Sequence, residues 1–104
     1  MQSLLFAALD RWRSPPPKPA KVAWLGTVHY AHRGLHQSGV PENSLTAFRD
    51  AIDRGMGIEC DVQRSSDGQA IVFHDFELDR LTSETGPVIQ RSAEELTRIE
   101  LSGS

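Results

Sequence analysis

Two histidines, an arginine and two carboxylates in this 104-residue chain are spaced so that they could act together on one phosphate group. His32 and Arg33 follow one stretch of strand-forming residues, and His74 ends another. Arginine binds phosphate oxygens with two parallel N–H groups, and histidine exchanges protons near neutral pH. Glu59 and Asp61 offer the carboxylate oxygens that Mg²⁺ and Ca²⁺ prefer. The set suits phosphoryl chemistry, with one histidine taking a proton from the attacking oxygen and the other protonating the leaving alcohol.

The carboxylate pair lies in a segment, residues 58–63, that reads as one short buried strand. Successive strand residues point to opposite faces, so Glu59 and Asp61 would share a face while Cys60 would be a small buried apolar residue on the other. Taken alone, the spacing favours a half-exposed strand with solvated acids. The neighbouring histidines and arginine favour a metal site instead, because a cation removes the repulsion between two adjacent carboxylates.

The elements that must position these residues alternate between strand and helix. A strand is predicted within residues 22–31, most plausibly at 27–31, and a hairpin turn at Asp67-Gly68 precedes a strand at 70–73. A helix capped by Asn43 or Ser44 runs to about Arg54, and a capping-box pattern opens a short helix at residue 92. Strands that alternate with helices predict parallel βαβ units, in which functional groups gather at the carboxyl ends of the strands.

The two helices carry apolar residues at helical spacing. Leu45, Phe48 and Ile52, with Ala51, are expected to form the buried face of the longer helix, since they recur at helical spacing. In the shorter one, Leu96 and Ile99 share a face and should pack on the core.

Composition limits the functional classes. Net charge is −3 with no basic stripe, so nucleic acid is not an expected partner. No apolar run reaches the length of a membrane span. A single cysteine cannot form an internal disulfide, which fits a cytoplasmic location.

Residues 1–21 are interpreted as an N-terminal helix and a proline-rich linker, and residues 22–104 as the domain that carries the site. Leu5, Leu9 and Trp12 would lie on one stripe of that helix. It is expected to pack on its own domain, with a weak membrane-surface anchor as the alternative.

Several short motifs, taken in order, resemble the glycerophosphodiester phosphodiesterase family. The resemblance covers roughly residues 28–101 and is carried by His32-Arg33-Gly34, Pro41-Glu42-Asn43-Ser44, Glu59-Cys60-Asp61-Val62, Asp67-Gly68, Phe73-His74-Asp75 and Leu78-Asp79-Arg80-Leu81-Thr82. It implies an α/β fold that is the N-terminal part of a TIM-type (β/α)8 barrel, truncated. It also implies a metal-dependent phosphodiesterase that converts small-molecule glycerophosphodiesters to glycerol 3-phosphate and an alcohol.

The resemblance assigns roles to individual residues. His32 and His74 correspond to the general acid–base pair, and Arg33 to the phosphate-binding arginine. Glu59 and Asp61 correspond to ligands of a divalent ion, Mg²⁺ or Ca²⁺. The supporting pair Glu42 and Asn43 lies close to that site.

Chain length is the departure from the family pattern. A TIM barrel needs roughly 250 residues, and this sequence supplies about the first third. The family's third metal-binding acid and a later lysine have no counterpart before Ser104, so a truncated product is the favoured interpretation, with exposed apolar faces and an unpaired sheet edge. Two alternatives are an inactive fragment with at most weak metal binding and a related lysophospholipase D or sphingomyelinase D-type phospholipase. Oligomeric state cannot be deduced from these patterns.

Overall fold

The computed structural model describes residues 15–102 and shows a mixed α/β chain. Its elements, in order, are α1 (Pro19–Val22), a 3-10 helix (Ala23–Gly26), β1 (Tyr30–His32), α2 (Leu45–Asp53), β2 (Gly57–Glu59), β3 (Val62–Arg64), β4 (Ala70–Val72), a second 3-10 helix (Val88–Gln90) and α3 (Ala93–Thr97). The amphipathic helix predicted around Leu5, Leu9 and Trp12 lies outside the described residues. The linker predicted before residue 22 is helical from Pro19. Proline is accepted at the start of a helix because its missing N–H is one that the first helical turn does not use.

β1, α2 and β2 form a βαβ unit, as predicted, although β1 lies at Tyr30–His32 rather than at residues 27–31. β1 and β2 pair in parallel, with Tyr30 opposite Gly57 and His32 opposite Glu59, and α2 connects them. A parallel pair needs such a crossover, because its two strands start at the same end. The register therefore brings His32 and Glu59 to the same carboxyl edge of the sheet.

Helix α2 begins and ends where the sequence predicts, but its buried face differs in part from the predicted one. The Ser44 hydroxyl caps it by accepting a hydrogen bond from the Ala47 amide at 3.1 Å. Ala51 is buried, as predicted, and so is Ala47, whereas Leu45 and Ile52 are 75% and 62% exposed, so the prediction that this leucine and isoleucine are buried is wrong. Alanine permits the close approach that the preceding loop requires, since the Leu35 amide donates to the Ala47 carbonyl at 2.9 Å.

The single strand predicted over residues 58–63 is also wrong. β2 ends at Glu59, and β3 begins at Val62 in a separate antiparallel sheet with β4. Asp61 lies in the break, where its carbonyl accepts from the Phe73 amide at 3.0 Å. Cys60 is exposed rather than buried, because it too lies in the break and not on an inward strand face.

The apolar core lies beside the β3–β4 hairpin and comprises Phe73, Leu78, Leu81, Val88 and Leu96. Leu96 of the last helix belongs to this core, and Ile99 packs against it as predicted, although Ile99 lies beyond the end of that helix at Thr97. Other large apolar side chains are exposed, Phe76 at 83% among them, as expected for a chain without a closed barrel over residues 15–102. In that same range no helix combines the length and apolarity needed to cross a bilayer. The cytoplasmic location stays a prediction.

Candidate active site

The carboxyl ends of β1 and β2 place a histidine beside a glutamate. The Nε2 atom of His32 lies 3.5 Å from the Oε2 atom of Glu59, and their side chains are 69% and 42% exposed. Despite that partial exposure, the Oε2 atom itself is buried and has no hydrogen-bond partner. A buried carboxylate oxygen without a partner loses solvation that only a donor or a cation can replace.

Arg33 begins the turn that follows β1 and carries a second buried atom without a hydrogen bond. Its φ of 59° lies in the left-handed region, and the Asn43 amide donates to its carbonyl at 2.8 Å. The guanidinium donates from Nη1 to Glu42 Oε2 at 2.9 Å. Its Nε atom is buried and lies 3.6 Å from Asp61 Oδ2, beyond a normal hydrogen bond. One buried N–H of Arg33 thus lacks an acceptor.

Asp61 is held by an amide side chain rather than by strand geometry. Asn43 donates from Nδ2 to Asp61 Oδ2 at 3.1 Å, and its Oδ1 accepts from the Asp61 amide at 3.4 Å. Asn43 has a φ of 55°, a conformation that asparagine adopts more readily than most residues. Because Asn43 lies just before α2, the start of that helix fixes the second acid of the predicted metal pair.

Glu42, predicted as a supporting residue, is the most buried acid of the cluster. It is 3% exposed, and its two oxygens accept separately from Arg80 Nη1 and Arg33 Nη1, each at 2.9 Å. The hydrogen bond from Arg80 is the main cause of a lowered pKa for Glu42; burial acts in the opposite direction, and Arg33 adds to the lowering. Glu42 is therefore ionised at neutral pH and needs both cations.

His74 joins this cluster through two residues to which the sequence assigned no role. Its Nδ1 lies 2.8 Å from Asp75 Oδ1, and Arg80 binds the two Asp75 oxygens through Nη2 at 2.9 Å and Nε at 2.8 Å. Hydrogen bonds from Arg80 and then from His74 hold the pKa of Asp75 well below its usual range, and those with Asp75 and Glu42 raise the pKa of Arg80. Both residues lie in motifs that carry the family resemblance, Phe73-His74-Asp75 and Leu78-Asp79-Arg80-Leu81-Thr82, and that was the signal which could have found them.

The contacts of the seven predicted residues form two groups, which meet in the chain where His32 precedes Arg33. His32 pairs with Glu59, Arg33 bridges Glu42 and Asp61, and Asn43 holds Asp61. His74 connects through Asp75 and Arg80 and, in the described part of the chain, has no hydrogen bond to His32.

The carboxylate oxygens of Glu59 and Asp61 supply part of the ligand set that a divalent cation needs. Glu59 presents a buried oxygen that lacks a partner, and an oxygen of Asp61 lies at the same edge beside Arg33. Carboxylate oxygens are the preferred ligands of Mg²⁺ and Ca²⁺. No cluster of three or more His, Cys, Asp or Glu side chains arranged for a metal occurs within residues 15–102. Two acids would leave several coordination positions to water or substrate.

Known proteins resemble this chain over the region that carries the site. A curated glycerophosphodiester phosphodiesterase from Caldanaerobacter subterraneus is 41% identical over 75 residues, which are 71% of this chain and 30% of the relative. One from Bacillus altitudinis is 43% identical over 79 residues, 75% of this chain and 32% of the relative. The chain therefore spans about a third of the length of these relatives.

Solved structures of proteins with the same name also match this chain. The crystal structure of a glycerophosphodiester phosphodiesterase from Agrobacterium tumefaciens matches with a TM-score of 0.64 at 37% identity, over 73% of this chain and 32% of the other. The enzyme of that name from Thermotoga maritima matches with a TM-score of 0.64 at 34% identity, over 71% and 35%. The model of the glycerophosphoryl diester phosphodiesterase family matches residues 32–104. The chain belongs to that family.

Proposed function

We propose that this protein serves the metal-dependent hydrolysis of glycerophosphodiesters to glycerol 3-phosphate and an alcohol, and that β1, α2 and β2 are the first unit of a TIM-type barrel. One observation carries the proposal: Glu59 Oε2 and Arg33 Nε are both buried, both without hydrogen bonds, and lie beside the carboxyl edge of the β1–β2 pair. The oxygen needs a donor or a cation, and the N–H needs an acceptor. A phosphodiester bound together with a divalent cation would supply both.

Glu59 and Asp61 would hold the cation, Mg²⁺ or Ca²⁺. Bound there, the ion would neutralise charge on the phosphate oxygens. Arg33 would bind the same phosphate, since its Nη1 is already fixed by Glu42 and its Nε remains available.

His32 and His74 would move the protons. An oxygen nucleophile attacks phosphorus as the bond from phosphorus to the alcohol oxygen breaks. One histidine takes the proton of the attacking oxygen, and the other gives a proton to the leaving alcohol. Asp75 supports this role for His74, because the hydrogen bond at Nδ1 leaves Nε2 available to the substrate.

Turnover of glycerophosphocholine with added Mg²⁺ or Ca²⁺ tests the proposal. We expect His32→Ala and His74→Ala each to reduce turnover by roughly 10²- to 10⁴-fold, the usual contribution of a general acid or base. Arg98→Ala, in an exposed ion pair with Glu94, is the control and should be unaffected. Full activity in either histidine variant would refute the assignment. No turnover by the unaltered chain would favour the inactive fragment, and preference for lysophosphatidylcholine or sphingomyelin would favour the phospholipase.

Calorimetric titration with Ca²⁺ or Mg²⁺ tests the metal separately. Glu59→Gln should weaken binding, because an amide keeps one oxygen but loses the charge. Glu100→Gln changes an exposed acid away from the strand ends and serves as the matched control. Equal affinities in the two variants would contradict a metal ligand at Glu59.

A further inference from the structure

We infer that Arg80 is a positioning residue that fixes His74 and Arg33 relative to one another through two shared carboxylates. The inference rests on the proposed function only in giving His74 and Arg33 their roles. The effect of Arg80 on the position of His74 can be tested without measuring activity.

A continuous ladder of hydrogen bonds connects the two site residues, with charges that alternate along it. Arg33 and Arg80 each donate to Glu42 at 2.9 Å, Arg80 donates twice to Asp75, and Asp75 contacts His74 at 2.8 Å. Arg80 occupies the centre. Glu42 lies 38 positions away in sequence, so the ladder ties the loop before α2 to the loop after β4.

The ladder needs the fixed shape of a guanidinium group. Arg80 uses Nη1 for Glu42, and Nε and Nη2 for the two oxygens of Asp75. These nitrogens lie in one rigid plane, so the two carboxylates are held at a set separation; a lysine ammonium is a point charge and imposes no such geometry. Water cannot easily replace the bond to Glu42, which is 3% exposed.

The far end of the ladder determines which ring nitrogen of His74 carries hydrogen. An ionised carboxylate only accepts, so Asp75 Oδ1 requires the hydrogen on Nδ1 and leaves the Nε2 lone pair free. Arg80 holds both Asp75 oxygens and so keeps that carboxylate in place. Without Arg80 the Asp75 side chain is free to rotate, and the imidazole should shift toward the Nε2–H form that free histidine prefers.

Nitrogen NMR of the ¹⁵N-labelled chain at about pH 8, where an ordinary imidazole is neutral, tests this directly. The unaltered protein should show mainly Nδ1–H at His74, and Arg80→Gln should lower that fraction at least about two-fold. Arg98→Gln makes the same change in an exposed arginine–glutamate pair and should leave the fraction unchanged. An unchanged fraction in folded Arg80→Gln would overturn the inference. If that variant does not fold, Arg80→Lys decides: an intermediate fraction supports the inference, and the unaltered fraction overturns it.

Kinetics provide the second measurement. Misplacement of both reacting groups should reduce kcat by roughly 10- to 100-fold in Arg80→Gln. A rise in KM should accompany the loss, because the phosphate-binding arginine is displaced as well. A change in KM with kcat intact would contradict a positioning role toward His74. Absence of turnover in the unaltered chain would count against the proposed function alone, since the tautomer measurement would still decide the role of Arg80.

Discussion

Replacing Glu42 by glutamine tests whether the buried carboxylate organises the site. Glutamine has nearly the same shape, so the change leaves packing intact and removes the charge. One side-chain oxygen then remains to accept from one arginine, while the new NH2 group faces an N–H of the other. Since Arg33 is 19% exposed and Arg80 is 47% exposed, the more buried Arg33 loses more when it is left unpaired.

The expected loss of stability follows from that burial. A hydrogen bond to a charged group contributes about 1.5 to 3 kcal/mol, and breaking a fully buried ion pair costs about 3 to 5 kcal/mol. Half-exposed Arg80 can recover hydration, so the upper figure is too large here. We expect Glu42→Gln to reduce the free energy of unfolding by about 2 to 4 kcal/mol.

Urea unfolding followed by circular dichroism measures this loss. Glu94→Gln is the matched control, because Glu94 also pairs with an arginine, at 2.7 Å, but both side chains are about three-quarters exposed. Exposed pairs contribute little, so the control should lose less than about 1 kcal/mol, part of it from the helix dipole at α3. Equal losses in the two variants would refute the argument that burial makes Glu42 important.

Two further predictions concern acid and one glycine. The folded-state pKa values of Glu42 and Asp75 are lowered from 4.5 and 3.8, so the stability that these carboxylates contribute is complete above those values and is lost as pH falls through the lower folded-state values. The urea midpoint should therefore fall below about pH 4.5, and it should fall less steeply in Glu42→Gln. Equal dependence of the midpoint on pH in the two proteins would contradict this. Gly34→Ala should reduce the free energy of unfolding by about 2 to 4 kcal/mol, since φ is +80° and a Cβ at this position would lie 2.8 Å from the Cβ of Ala47. Gly26→Ala is the control and should cause no loss in the same urea assay, because no atom lies within 4 Å of a Cβ at that position. Equal urea midpoints for the two variants would count against the close contact at Gly34.

Local signals explain the parts of the fold that the sequence predicted correctly. Ser44 and Ser92 cap their helices through side-chain oxygens, and Asp67-Gly68 lies in the turn of the β3–β4 hairpin. Each of these depends on residues within four positions of one another. Such short-range chemistry can be recognised without knowledge of the tertiary fold.

Tertiary packing explains what the sequence did not predict. Leu45 and Ile52 have helical spacing, yet they are exposed, and Ala47 is buried where the Leu35 amide approaches the helix backbone. The same limit applies to Arg80: its partner Glu42 is 38 positions away, and although both residues lie in motifs of the resemblance, the motifs do not predict that their side chains are in contact.

The break after Glu59 changes the physical basis of the predicted carboxylate pair. Strand alternation would have put Glu59 and Asp61 on one face of a single element. Instead, pairing of β2 with β1 positions Glu59 beside His32, while the Asn43 amide before α2 positions Asp61 beside Arg33. The two acids are thus held by separate elements rather than by the alternation of one strand. The Glu-Asn pair in the sequence then has a structural meaning, since Glu42 fixes Arg33, the arginine proposed to bind phosphate, and Asn43 fixes Asp61.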